Sequence, residues 1–454
     1  ILGKFKTLLT LYTMSPLLAS YLIGKGDTSG NNIKDVIMVM RTVSFALIIV
    51  PILSICRGFF QGYNFMEPTG VSQVIEQIVR IIWILIGGFL VVHVFHSSIS
   101  IASGVATFGA FTGATAGLAV IYYYWKKNRS HINNLHKTSS VRSNISFLSM
   151  YKELITYAVP FVLVGLAIPV YQLVDTFMVN KLYMEIGYSL QKAETLNSVL
   201  GLTQTLVMIP VSLATALSLS LIPSITKLHT ANKLDLLKQQ LTQTFQMLFF
   251  ITLPAVVGLS ILSHSAYITF FGLNNAYELG SKILKWYAPA ALFFAMFTVT
   301  AAMLQGINKQ KSAIIGLMAG LLCKVICNYL FVAPFDDLGP VFATYVGYTL
   351  SVLYNLFVIQ KHLDYSYCHV LKKISFIFIN VIIMAVLVAV ISFGVNHMAI
   401  DLKVKAVLNI LVCGGIGAYS YVFFASKTGV IKNTFGKNPV ILNKILPRRK
   451  EKAA

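Results

Sequence analysis

Twelve mostly apolar runs, each near the length an α-helix needs to cross about 30 Å of hydrocarbon, follow one another along this 454-residue chain. They fall at 5–23, 36–61, 72–96, 100–125, 153–180, 195–226, 241–271, 280–306, 312–333, 338–360, 372–398 and 404–426. In lipid the backbone finds no water to pair with, so such runs are confined to helices, and they are too long for barrel strands. The predicted fold is all-α integral membrane, with about twelve transmembrane helices. Hydrophobic types at 56% and charged types at 11% agree, because a water-soluble chain of this size needs far more polar surface. A formal charge of +21 would suit nucleic acid, but the basic residues lie in connections between the runs, and no nucleic-acid partner is expected.

The basic residues orient the chain. The connection after Trp125 carries Lys126, Lys127, Arg129, Lys137, Arg142 and Lys152, and the tail carries Lys427, Lys432, Lys437, Lys444, Arg448, Arg449, Lys450 and Lys452. Segments HSSIS (96–100) and APFDDLG (333–339) carry no Lys or Arg. The first group belongs in the cytoplasm and the second outside. Cys56, Cys323, Cys327, Cys368 and Cys413 lie in or beside apolar runs and read as free thiols.

Part of the chain occurs twice. Sliding residues 54–80 forward by 244 positions lays Gln61-Gly62 on Gln305-Gly306, Asn64 on Asn308 and Arg80 on Lys324. On that offset the first four runs match runs seven to ten, slipping by about nine residues at the shorter outer loop before Gly339. Runs five and six have no partner, so two helices are expected upstream of Ile1, with runs eleven and twelve as an appended pair and fourteen helices in all. The expected organisation is an incomplete N-terminal lobe (1–127), a cytoplasmic linker (128–150), a six-helix C-terminal lobe (151–362), the helix pair (363–428) and a basic cytoplasmic tail (429–454). The two lobes are expected to be pseudo-symmetric.

No catalytic order of residues, phosphate loop or metal-ligand cluster is present, so neither an enzyme nor a cofactor is expected. Charges within apolar runs are costly and mark candidate functional residues. Arg41 lies towards the outer end of the second run and Arg57 near its cytoplasmic end, where its side chain could also snorkel to headgroups. Glu76 and Arg80 lie four apart with the acid first, the better order for an ion pair on one helix face. Arg80 lies roughly 15 Å from the helix start, near mid-membrane, so it either completes that pair or meets an anion. Further on, Asp175 and Lys324 are expected to pair across helices, with Asn328 and Thr344 as polar neighbours, forming a lobe lock or a coupling element.

RGFFQGYNFMEPTGVSQVIEQIVR (57–80), LTQTLVMIPVSLATALSLSLIPSITK (202–227), MLQGINKQ (303–310) and KVICNYLF (324–331) resemble the Gram-positive branch of the lipid II flippase (MurJ-type) and spore-cortex polysaccharide transporter family. That family lies within the multidrug/oligosaccharidyl-lipid/polysaccharide exporter superfamily, and the resemblance covers nearly the whole chain. It implies a flippase of the bacterial plasma membrane that moves an undecaprenyl-diphosphate-linked glycan, lipid II above others, by alternating access. Its partners would be that lipid-linked substrate, membrane lipids and cell-wall synthesis enzymes. Arg41, Arg57, Glu76 and Arg80 become candidates for the substrate cavity. The well-known cavity arginines of the family lie largely in the first two helices, and another falls near Thr205, where this chain departs from the Gram-negative pattern. Some relatives hold sodium through an Asp in the helix matching Asp175; here the Lys324 ammonium stands beside that position, so this chain is not expected to use the site. Rival expectations are a flippase for another polyprenyl-linked glycan, a multidrug antiporter, and a non-transporting scaffold.

Overall fold

The computed structural model describes residues 2–23, 33–63, 65–138, 146–273 and 276–435. The chain forms two compact units, Ile1–Ile145 and Ser146–Ala454. Among the described residues all regular structure is helical. The N-terminal unit holds α1 (Leu2–Ile23), α2 (Ile33–Ser44), α3 (Ala46–Gly62), α4 (Glu67–Phe89) and α5 (Ile99–Thr138). The C-terminal unit begins with α6 (Phe147–Gly165), α7 (Ala167–Glu185), α8 (Leu190–Thr230), α9 (Leu234–Ile261), α10 (Ser263–Phe271) and α11 (Tyr277–Tyr287). It continues with α12 (Ala290–Gly306), α13 (Gln310–Phe335), α14 (Gly339–Leu363), α15 (Cys368–Asn396), α16 (Leu402–Lys427) and α17 (Val430–Phe435).

Eight helical stretches are long and apolar enough to cross a membrane, or ten if each of two bent pairs is one span. Length and apolarity therefore do not establish the expected twelve. Gln310–Leu363 is one stretch by this measure although a 3-10 turn at Asp336–Leu338 separates α13 from α14, and α1 is not among those that qualify. The bent pairs have a local cause. α6 and α7 meet at 50° and α11 and α12 at 43°, with Pro169 in the first turn of α7 and Pro289 directly before α12. Proline lacks the N–H that would bond four residues back, so the helix restarts there. The carbonyl that Pro289 leaves free, Lys285 O, accepts a hydrogen bond from Ser260 Oγ at 2.8 Å. Helix α5 runs to Thr138, into the stretch expected as linker; residues 139–145 and the expected tail beyond Phe435 lie outside the described residues, as does Asn64 of the first repeat.

Two close helix crossings fall at matching places in the repeat. In the N-terminal unit a Cβ on Gly113 of α5 would lie 2.7 Å from Glu76 O on α4. In the C-terminal unit the position matching Glu76 is Gly320 on α13, where a Cβ would lie 2.3 Å from Gly347 O on α14. Small residues let membrane helices approach in this way. The glycine-rich segment GVATFGAFTGATAGLAV thus serves packing.

The appended helices α15 and α16 pack against α9 and α10. Asn409 on α16 fastens them: its amide donates to Ser265 Oγ on α10 (2.8 Å) and Ser392 Oγ on α15 (3.0 Å), and its Oδ1 accepts from Cys413 Sγ. Asn409→Leu removes all three bonds, but freed hydroxyls can turn to their own helix carbonyls. The expected cost is about 1 kcal/mol, read as a lower unfolding midpoint in detergent.

Candidate functional site

Among the described residues each unit holds an ionic cluster that includes a position of the repeat. In the N-terminal unit Glu76 and Arg80 occupy successive turns of α4, so their side chains share a face. Arg80 Nη2 donates to Glu76 Oε1 at 2.8 Å, and the other carboxylate oxygen, Oε2, receives Arg57 Nη2 from α3, also at 2.8 Å. Arg57 therefore does not snorkel. Its Nε and Nη2 also donate to Ser72 Oγ (3.2 and 2.8 Å), and the Ser72 hydroxyl donates in turn to Gly117 O on α5 at 3.0 Å.

Glu76 is buried, with 7% of its surface exposed. It faces two guanidiniums, so the cluster carries a surplus positive charge. The Arg80 side chain keeps 30% of its surface exposed, and its Nε has no hydrogen-bond partner. Arg41 stands apart from this cluster. Its Nε donates to Ser15 Oγ at 3.3 Å, its guanidinium lies 4.6 Å from the Tyr12 ring centre, and with Lys34 it lines an open cavity of about 450 Å³.

In the C-terminal unit Lys324, the match of Arg80, finds its carboxylate on another helix. Lys324 Nζ donates to Asp175 Oδ2 at 2.7 Å and to Tyr171 O at 2.9 Å, and Asn328 Nδ2 reaches Asp175 Oδ1 at 3.4 Å. The ammonium lies 5.1 Å from the Tyr171 ring centre and Lys324 is 1% exposed. Gly320 and Gly347 admit the Tyr171 ring and its contact with Ser351. Thr344, expected as a polar neighbour of the pair, donates its hydroxyl to Pro340 O one turn back at 2.8 Å, the usual local bond of a buried helical threonine.

Asp175 also looks onto a polar cavity of about 310 Å³ that it shares with Gln172, Thr176, Asn197, Gln204 and Thr205. Of these uncharged residues the sequence singled out only Thr205, and that through the family resemblance. Their signal was the helical period: 172, 175 and 176 share one face of α7, and 197 and 204, seven apart, share one face of α8.

A third feature lies at the loops. Lys282 Nζ meets Asp337 Oδ2 at 2.8 Å, Tyr183 donates to Asp336 O at 3.2 Å, and Tyr188 donates to the Asp336 carboxylate. That last hydrogen bond pushes the Tyr188 phenol up to about 12. It ties the turn after α7 to the turn between α13 and α14. Among the described residues no group of three or more His, Cys, Asp or Glu side chains could hold a metal ion.

Comparison with known proteins places the chain in a family. The polysaccharide biosynthesis protein family model matches residues 6–229 and the MatE model residues 160–330. The lipid II flippase MurJ of Bacillus subtilis (strain 168) is 40% identical over 432 residues, spanning 94% of this chain and 79% of that protein. Stage V sporulation protein B of the same organism is 24% identical over 339 residues, spanning 70% of this chain and 60% of that one. A solved structure of lipid II flippase MurJ in an inward closed conformation matches with TM-score 0.63 at 19% identity, over 96% of this chain and 82% of the other. The Vibrio cholerae MATE transporter VcmN in its bent form matches with TM-score 0.58 at 13% identity, over 80% and 76%. Those structural likenesses show the fold, an all-helical membrane transporter fold shared by MurJ and MATE proteins. The MurJ relative is named a flippase and the MATE structure a transporter, and the chain is a multi-pass membrane protein. The sequence match over nearly its full length settles the family: the chain belongs to the MurJ family.

Proposed function

We propose that this protein is a flippase of the bacterial plasma membrane that carries an undecaprenyl-diphosphate-linked peptidoglycan precursor, lipid II, to the outer leaflet by alternating access. The observation that carries the reading is the 40% identity over 94% of the chain to a protein named for that activity. The physics of the cargo supports it. A diphosphate cannot enter hydrocarbon without cationic partners, and the Arg57–Glu76–Arg80 cluster holds two guanidiniums against one carboxylate. In this reading Arg80 and Arg57 meet the phosphates, Glu76 holds both in place, and Arg41 offers a further cation. The Asp175–Lys324 pair, with Asn328 and Thr344 beside it, locks the C-terminal unit as it rocks. An apolar groove of about 490 Å³ between α9 and α16, lined by Phe250, Pro254, Met384 and Tyr421 among others, suits a prenyl chain. Cell-wall synthesis enzymes are the partners the activity would serve.

Complementation tests the proposal. Expression in a strain depleted of its lipid II flippase is expected to restore growth, and Arg80→Gln is expected to cut the rescue by about tenfold in viable counts, as loss of a charge-assisted contact would. Membrane insertion without any rescue sinks the lipid II reading and points to another polyprenyl-linked glycan.

A further inference from the structure

The polar cavity beside Asp175 has the wrong chemistry for a phosphate and for a free cation. No lysine or arginine is among its wall residues, which excludes a built anion site. Its one formal charge, Asp175, is already held by Lys324 at 2.7 Å, from a side that is 1% exposed. What remains is a set of uncharged donors and acceptors: the amides of Gln172, Asn197 and Gln204, and the hydroxyls of Thr176 and Thr205. Thr176 and Thr205 donate to the carbonyls of Gln172 and Gly201, one turn back, which leaves their oxygens free to accept. Gln204 is 9% exposed, yet its amide has no hydrogen-bond partner among the described residues. Unpaired amides on membrane-spanning helices are costly unless water or a ligand pairs them. The space, about 310 Å³, equals roughly ten water molecules, close to one pyranose ring with its substituents.

We infer that this cavity is a subsite for an uncharged sugar unit of the lipid-linked substrate. The inference rests on the flippase reading and adds to it the part of the cargo that the cationic clusters cannot recognise. A sugar presents hydroxyl and amide groups that both donate and accept, which amide side chains match in pairs and a single charge does not.

The test compares two ligands on the full-length protein in nanodiscs: a prenyl diphosphate, and the same lipid carrying an N-acetylated disaccharide. The wild-type protein is expected to bind the glycosylated form more tightly. Gln204→Leu and Asn197→Leu are each expected to erase about tenfold of that preference, the worth of one or two lost hydrogen bonds, with affinity for the bare diphosphate unchanged. Gln204→Asn, which keeps the amide, should retain part of it. An intact preference in both leucine variants overturns the inference. So does sodium, in place of choline, tightening or abolishing the preference through Asp175, since that marks a cation cavity. Failure of the wild type to bind either lipid removes the flippase reading itself, an outcome distinct from a loss confined to the glycan.

Discussion

Lys324→Met is expected to destabilise the C-terminal unit by about 3–5 kcal/mol, because breaking one side of a buried ion pair strands the other charge. Lys324 is 1% exposed and supplies Asp175 with its shortest contact, at 2.7 Å; without it the carboxylate keeps only Asn328 at 3.4 Å. Tyr171 O would lose a 2.9 Å donor as well. The double variant Lys324→Met with Asp175→Leu is expected to recover most of the loss, since replacing both members by apolar groups of similar size is often near neutral. Thermal unfolding in detergent, followed by tryptophan fluorescence, reads both. A single variant as stable as wild type would mean that the pair locks nothing.

Gly320→Ala is the second large effect. Its added Cβ would lie 1.9 Å from Ser351 Oγ, 2.3 Å from Gly347 O and 2.5 Å from the Tyr171 hydroxyl. Two of these neighbours can turn aside only by breaking their own contact with each other, and the third is backbone. Overpacking of this kind costs about 3 kcal/mol or more where nothing can yield. Gly394 on α15 has nothing within 4 Å of the same atom, so Gly394→Ala should instead stabilise its helix by roughly 0.5–1 kcal/mol. Measuring the two midpoints side by side separates steric crowding at α13–α14 from the general effect of removing a glycine.

Much of this arrangement was legible in the residues. Intramembrane charge is scarce enough that Asp175 and Lys324 could be paired from cost alone, and the four-residue spacing of Glu76 and Arg80 fixed a shared helix face. The repeat marked Lys324 as the match of Arg80. What hydropathy could not supply was the rotation of one helix against another. Arg57 had two physically sensible destinations, headgroups or a carboxylate, and only the packing of α3 on α4 selects Glu76 and Ser72. A hydroxyl in a helix always has a carbonyl one turn back, so sequence depth alone did not show that Thr344 bonds to Pro340 O. The polar cavity went unread because amides and hydroxyls carry little weight in a search for charge. The bends at Pro169 and Pro289 explain why runs that read as single spans become pairs of helices.

Transport of a lipid-linked diphosphate glycan is read out as flipping in reconstituted liposomes. Fluorescent lipid II is placed in both leaflets, and its exposure to a membrane-impermeant quencher is followed with time. Vesicles holding this protein are expected to expose the inner-leaflet pool far faster than empty vesicles, and Arg80→Gln is expected to slow this by about tenfold. Vesicles with correctly inserted protein that protect the inner pool as empty ones do would contradict it.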